Sequence, residues 1–525
     1  MRYIEGQSRD QVLVFPEVID DYVHEDNPVR FIDSFIDMLD MVELGFTHSM
    51  TSGTGRKPYN PKDLLKLYIY GYLNKVRSSR TLERETHRNI EVIWLLRKLQ
   101  PDFKTIADFR KDNARALKKV FRQFVMLCNG WGLYGNELVA IDGSKFKASN
   151  NKRRCITLGQ IKKALKEVET AIGSYLRELD EQDESEGVNA GHVHLPQAEI
   201  QERITQLKNK QESFKQYEKE LRESGETQIS LTDSDSRLMK VNNNGREVCF
   251  NVQTAVDSKH KLVSDFDVTN ESNDLNQLSN MSNKAKEALG VKELEVVADK
   301  GYFKREEIKK CIEENITCYV PQPRKSHNRK KGLFTDKDFI YDHDRDCYIC
   351  PAGNILYPTS YRKGRDEKIY TTKECKSCRL KSKCTKNKYG RCIYRWIHEE
   401  VIEEMAVRVV ENPDKIKARA CMSEHPFGTI KQSMNQGYFL TRGLEGVKGE
   451  FSITMLAYNI KRVLNILGIE MMLKAMRMVL LHEKFLIENY AASLHLSCRH
   501  ILKIFSIYRL IFFNTDKKPK MQLVQ

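Results

Sequence analysis

What this 525-residue chain lacks narrows its identity first. It has no stretch of about 18 uncharged apolar residues, so no segment reads as a membrane span. The most apolar late segment, 501–513, is broken by Lys503 and Arg509 and reads as a buried helix. The opening residues, MRYIEGQSRDQVLVF, lack the long apolar run of a secretory signal. The cytoplasm is therefore the expected location, with no membrane partner. Acidic side chains are also in deficit: 72 Asp and Glu face 87 Lys and Arg, a surplus of 15 positive charges. Such a surplus favours a polyanionic partner, most commonly nucleic acid, although an ordinary basic protein meets the same count. Apolar residues, at 40%, run slightly below a typical globular chain and charged ones, at 30%, slightly above. The length still allows a large core and several domains.

Residues 1–130 read as helical. Asn60-Pro61 opens a helix with Leu64, Leu65, Tyr68 and Tyr72 at helical spacing. Short helices follow over 81–87 and about 89–99, and Pro101 stops the second. Thr105 to Asp108 matches a capping box before a helix that is expected to reach about Cys128. Short helices, tight turns and Arg77, Arg80, Arg84 and Arg88 suit a DNA-binding domain of helix-turn-helix type. An ordinary bundle with a solvated basic face is the alternative.

From 131 the pattern turns to mixed α/β. Leu138 to Ile141 form a short apolar strand that Asp142-Gly143 is expected to end. Residues 156–224 carry two apolar stripes at near-heptad spacing around a Gly- and Pro-containing loop, which predicts an inserted antiparallel helical hairpin. Residues 246–269 read as two strands about a turn at 257–260. A helix near 274–289 leads to the strand Leu294 to Ala298, again ending in an acid, Asp299. Helix 305–314 and strand 317–320 follow, then a second insertion at 326–398 that is rich in Cys, Lys and Arg. Residues 399–466 return to helix, and 467–525 form a helical C-terminal segment with a disordered tail from Asp516. Asp233 and Asp235 are expected to serve a turn or cap rather than a metal.

Two buried strands that each end in Asp, with a Glu in a later helical segment, suit phosphodiester chemistry. That chemistry uses two divalent ions about 4 Å apart, and hard cations such as Mg²⁺ take carboxylate oxygens. The cysteines suggest a different metal. Cys347-x-x-Cys350 and Cys375-x-x-Cys378, separated by 24 residues, have zinc-ribbon spacing, and Cys384 makes a fifth candidate. On spacing alone Cys347 belongs to the set of four. A closed four-thiolate site is structural, because it leaves no open position. Lys376, Arg379, Lys381 and Lys383 lie beside it as possible DNA contacts. Cys128, Cys155, Cys249, Cys311, Cys421 and Cys498 are expected to be ordinary buried residues.

Several segments, in order, carry a family resemblance. AIDGSKFKAS (140–149), VVADKGYF (296–303) and EHPFGTIKQ (424–432) resemble the three catalytic blocks of bacterial insertion-sequence DDE transposases. LLKLYIYGYLNKVRSSRTLERE (64–85), LTDSDSRLMK (231–240), NVQTAVD (251–257), RGLEGVKGE (442–450) and LAYNIKRVL (456–464) extend the likeness over about 10–465. The resemblance implies a mixed-sheet α/β core of ribonuclease-H type, split as 131–325 and 399–466. It also implies a transposase that cuts the ends of its element and joins them to target DNA. Asp142 would bridge two Mg²⁺ or Mn²⁺ ions, with Asp299 and Glu424 each completing one site. A Glu-x6-Lys pattern is met by Glu424 and Lys431, and Tyr302 fits the associated Tyr position. Related transposases carry Arg four residues before the Glu. Here Ala420 stands there, and Arg419 is the substitute. Pro426 is expected to place Glu424 at a helix start. Lys300, Tyr302, Arg419 and Arg442 join the N-terminal arginines as candidate DNA contacts. The family's Cys-rich insertion points to Cys350, Cys375, Cys378 and Cys384 for zinc, leaving Cys347 spare. The implied partners are the element's terminal inverted repeats and target DNA, bound by a homodimer on the bacterial nucleoid. A non-mobile nuclease of the same fold and a DNA-binding regulator are the alternatives.

Overall fold

The computed structural model describes residues 18–50, 57–151, 155–185, 196–225, 228–241, 245–323 and 331–492. The apolar segment 501–513, Cys498 and the tail lie outside the described residues. Among the described residues, no helix is long and apolar enough to cross a membrane.

After a short 3-10 turn at Ile19–Tyr22, seven α-helices follow: α1 (Pro28–Asp37), α2 (Met41–Leu44), α3 (Pro61–Leu73), α4 (Ser79–Arg88), α5 (Ile90–Leu95), α6 (Phe103–Asp112) and α7 (Ala114–Gly130). Asn27, Asp40, Asn60, Asn89 and Asp102 start five of them by accepting first-turn N–H groups. The fourth predicted helix is thus capped by Asp102, not by Thr105, whose own N–H donates to Asp102 at 2.9 Å. It also breaks at Asn113, whose side-chain amide donates to the Phe109 carbonyl at 2.8 Å. The helix expected to reach Leu99 stops at Leu95, because Arg97 and Lys98 adopt left-handed backbone with φ of 52° and 66°.

A six-stranded sheet forms the centre. Its strands are β1 (Leu138–Lys147), β4 (Arg237–Lys240), β5 (Arg246–Asp257), β6 (Val263–Thr269), β7 (Leu294–Ala298) and β8 (Ile316–Tyr319). β6, β5 and β1 run antiparallel in turn, and β7 and β8 continue parallel to β1. β4 pairs with the first residues of β5. Helices α10 (Leu278–Leu289) and α11 (Arg305–Glu313) join the later strands.

Between β1 and β5 stand α8 (Leu158–Ser185) and α9 (Gln197–Ser224), based on the small ladder of β2 (Cys155–Thr157) and β3 (Gln228–Ser230). The heptad-like stripes meet there, with Ile161, Val168, Ile200, Ile204 and Leu221 buried. Between β8 and α13 (Glu399–Glu411) lies an antiparallel sheet of five strands: β9 (Ile340–Asp342), β10 (Cys347–Ile349), β11 (Ile355–Arg362), β12 (Glu367–Thr371) and β13 (Ile393–Trp396). A short helix, α12 (Lys381–Cys384), precedes β13. Phe339, Tyr348, Leu356, Tyr370 and Ile393 give this insertion its own core.

Two helical segments complete the fold, α14 (Pro413–Gly428) and α15 (Leu444–Ala492), the latter two stretches meeting at Gly468 with φ 75°. α15 packs on α1, α3 and α7 and on β6, so one core joins the N-terminal helices to the sheet. Phe146 of β1 meets Phe427, Phe439 and Phe451 inside that core.

Candidate active site

The two strand-end acids lie next to each other for a reason visible in the ladder. β1 pairs with β7 only as far as Ile141 opposite Ala298. Asp142 and Asp299 are the next residues on the two parallel strands, so their carboxylates leave the sheet side by side. β1 does not end at Asp142-Gly143. Its antiparallel partner β5 carries it on to Lys147, opposite Cys249. Asp142 is therefore a mid-strand residue with one open edge, half-buried. Burial raises its carboxyl above the ordinary carboxylate value, and the charge of Asp299 adds to that. The Ser423 hydroxyl, the Arg419 guanidinium and the Gly143 N–H pull the other way. Arg419 Nη1 stands 3.1 Å from Asp142 Oδ2, and Gly143 N donates to Oδ1 at 2.8 Å. Asp299 Oδ1 accepts from Gly301 N at 2.7 Å, capping the short turn Lys300–Tyr302.

Arg419 and Ser423 are one turn apart on α14, so both reach Asp142. Glu424 follows Ser423 and is exposed. It lies well inside α14, not at a helix start: Pro426 is accommodated in the helix, and one π turn, Thr429–Ser433, follows. Met434 N closes that turn on Thr429 O at 2.9 Å. The wider turn carries Lys431, whose Nζ donates to Ser144 Oγ at 2.6 Å and Lys145 O at 2.9 Å. Burial lowers the Lys431 pKa. Glu424 and Lys431 thus belong to one segment that is pinned to β1 at Asp142 and just beyond it, at Ser144 and Lys145.

The opposite face of β1 carries residues that the motifs did not reveal. Gly143 faces Gln253, Asp274 and Tyr302. A Cβ there would fall 2.5 Å from Gln253 Nε2, 2.8 Å from Asp274 Oδ1 and 3.1 Å from the Tyr302 hydroxyl. Gln253 and Asn251 sit inside the NVQTAVD block, and their polarity within a buried strand was the available signal. Ser423 and Asp274 offered none, since a serine beside a glutamate and an acid in a loop are common.

The expected DNA contacts divide. Arg80, Arg84, Arg88, Lys300 and Arg442 are exposed. Arg88 shares its charge with Glu85 at 2.9 Å, and Arg80 lies over Phe103 at 5.2 Å. Three others are engaged within the protein. Arg77 is buried, donates to Tyr438 O at 2.8 Å and lies 3.6 Å from Glu450, so it joins the N-terminal helices to the chain before α15. Tyr302 is buried and donates its hydroxyl to Gln253 Oε1, so it faces no solvent. Arg419 is half-buried and holds Asp142 through Nη1. Asp233 and Asp235 accept from Gly443 N and Leu444 N at 3.2 and 2.7 Å, which caps α15.

Cys350, Cys375, Cys378 and Cys384 line one cavity of about 20 Å³ with Phe339 and Arg391. Burial raises the Cys384 thiol, and the three neighbouring sulfurs add to it. Cys347 is buried in β10 and does not line the cavity. Cys421, expected to be buried, is exposed, with Lys261 Nζ 3.3 Å from its sulfur. Among the described residues, no group of three or more His, Cys, Asp or Glu is drawn close enough to hold an ion as the side chains stand.

Comparison with known proteins bears on this geometry. The profile of a transposase domain (DUF772) matches residues 17–112, and that of a transposase DDE domain matches residues 349–464. The second match contains Arg419, Glu424 and Lys431. These matches define the class, an enzyme of DNA transposition. Together they support an insertion-sequence DDE transposase. The regulator alternative is not favoured by these matches. No curated protein matches the chain. A piggyBac transposase synaptic complex with hairpin DNA aligns over 92% of this chain and 85% of its own at 10% identity. Its TM-score of 0.30 is too low to carry a structural argument.

Proposed function

We propose that the chain cuts and joins DNA at the ends of an insertion sequence, at a cation site formed by Asp142, Asp299 and Glu424. One observation carries this: Asp142 and Asp299 leave neighbouring parallel strands at the same end, and Arg419 and Ser423 bind α14, the helix of Glu424, to Asp142. The strand order β6–β5–β1–β7–β8, antiparallel then parallel, supports a ribonuclease-H-like core. The helices up to 130 are then a DNA-binding domain, with 156–224 and 326–398 as insertions into the core.

The donor set fits hard divalent cations, being carboxylate oxygens at an open sheet edge. Burial disfavours the charge of Asp142, and a cation beside it would favour that charge as Arg419 does. Mg²⁺ or Mn²⁺ bound there would activate the attacking oxygen and stabilise the leaving one. The chain's own groups do the rest. Arg419 and Ser423 aim Asp142, Gly301 N–H aims Asp299, and Lys431 braces β1 just beyond Asp142. Lys300 and Arg442, exposed beside Asp299 and the α15 start, suit phosphate contacts, as do Arg80, Arg84 and Arg88 on α4. Pairing two DNA ends calls for two copies of the chain, hence a homodimer on DNA.

The insertion extends the DNA surface. Residues 326–398 carry 18 Lys and Arg against 8 Asp and Glu, two-thirds of the surplus of the whole chain. Lys376, Arg379 and Lys383 are exposed around the cysteine cavity. The four cysteines on that cavity suit a structural Zn²⁺, which would cross-link the turn after β10 to α12.

The test is incubation of labelled DNA carrying the element's ends with Mg²⁺ or Mn²⁺, wild type beside Asp142→Ala, with binding followed by gel shift. Metal-dependent cleavage and joining that the variant loses while still binding DNA is the expected result. Cleavage that survives Asp142→Ala would sink the site.

A further inference from the structure

A second polar network closes on the same strand ends from the face opposite α14, and its interpretation rests on the carboxylate site proposed above. Asp274 lies in the loop between β6 and α10. Its Oδ1 accepts from Asn251 Nδ2 at 2.7 Å and from Gln253 Nε2 at 2.6 Å, with Lys145 Nζ at 3.9 Å. Asn251 and Gln253 are wholly buried, so this carboxylate satisfies two amide donors that water does not reach. The other end of the Gln253 amide is occupied as well, since Oε1 accepts from the Tyr302 hydroxyl. A primary amide held at both ends cannot turn without losing both bonds. Tyr302 closes the turn Lys300–Tyr302, and Asp299 is the cap of that turn. Gly143, the neighbour of Asp142, has no Cβ and so lets Gln253 and Asp274 close against its main chain.

We propose that Asp274 is a positioning residue for the cation site: it orients Gln253, which anchors Tyr302 and so sets the direction of Asp299. It acts at a distance from the ion, by accepting a hydrogen bond from Gln253 behind Tyr302 and Asp299, much as residues behind metal ligands commonly do. A hydrogen-bonded chain of this kind loses its function when any one link is cut, which gives it a signature distinct from independent packing.

The test is Mn²⁺ binding to the full-length protein without DNA, followed by electron paramagnetic resonance. Asp274→Ala and Tyr302→Phe are each expected to weaken binding about tenfold. The double variant is expected to be no weaker than either alone, because both cut one chain. Asp274→Asn keeps an oxygen acceptor and is expected to bind close to wild type. Tyr302→Phe retains the buried ring, so it tests the link even if Asp274→Ala fails to fold. Mn²⁺ binding unchanged in Tyr302→Phe, additive losses in the double variant, or Asp274→Asn as weak as Asp274→Ala each overturn the proposal. Asp142→Ala separates the two levels: if it binds Mn²⁺ like wild type, the carboxylate site itself fails, whatever Asp274 does.

Discussion

Asp142 keeps a carboxylate where burial opposes its charge, and this has a consequence for stability. Burial raises its pKa in the folded chain above the unfolded value. The folded state therefore holds the proton more tightly than the unfolded one. As pH rises from below the unfolded carboxylate value through the raised folded one, this group takes stability away. Asp142→Asn removes the ionisation. In metal-free buffer, the melting temperature of the variant relative to wild type is expected to increase as pH rises across the acid range. A constant difference over that range would show that Asp142 is not strained by its burial. At this scale the sequence was partly legible. The acids stood out because each followed an apolar run. Arg419, displaced by one position from the family pattern, reaches Asp142 from one turn before Ser423, on the same face of α14. Ser423 and Asp274 were not legible, since their roles come from what the fold brings opposite them.

Among the elements, α4 and the turn before it separate two kinds of arginine that look alike in sequence. Arg77 and Glu450 are both buried and 3.6 Å apart, and Glu450 also accepts from Leu440 N and Thr441 N. Removing Arg77 takes from that carboxylate its ion-pair partner and leaves only the more distant charge of Arg110, a loss of about 3 kcal/mol, at the low end for a buried pair. Arg77→Ala is expected to lower the unfolding free energy by that amount, whereas exposed Arg84→Ala leaves it unchanged and weakens DNA binding. Equal denaturation midpoints for the two variants would contradict this division. Periodicity could not separate them, because burial here is set by the contact of the N-terminal helices with the segment before α15. Local rules failed for similar reasons elsewhere. Gly143 reads as a strand terminator, yet β5 holds the strand to Lys147. Pro426 reads as a helix boundary, yet α14 absorbs it near its end and relaxes into a π turn.

Across the whole molecule, the two insertions were unequally legible. The hairpin of α8 and α9 announced itself through two long apolar stripes. The five-stranded sheet of 326–398 did not, because its strands are short and its core is five residues, three of them aromatic and scattered between lysines. Cysteine spacing marked the place but favoured Cys347, which the fold instead commits to β10. The zinc and DNA readings of this insertion make a joint prediction. Purified protein is expected to carry about one zinc per chain, and Cys375→Ser to carry none. That variant should also bind non-specific DNA with a shallower dependence of log K on log salt, by about one unit for each phosphate that the insertion no longer neutralises. An unchanged slope in a zinc-free variant would separate the insertion from DNA.

Glu424 is the member of the proposed triad with the least support from its surroundings: it is exposed, and the residues of its helix that reach Asp142 are Arg419 and Ser423. The single-turnover rate of end cleavage by Glu424→Gln, at saturating DNA and Mg²⁺, therefore tests the three-carboxylate site most directly. A metal-bound carboxylate contributes several kcal/mol to the transition state, so a fall of about a thousandfold with unchanged DNA binding is expected. A rate within a few fold of wild type would contradict the site, leaving Asp142 and Asp299 as a pair without their third ligand.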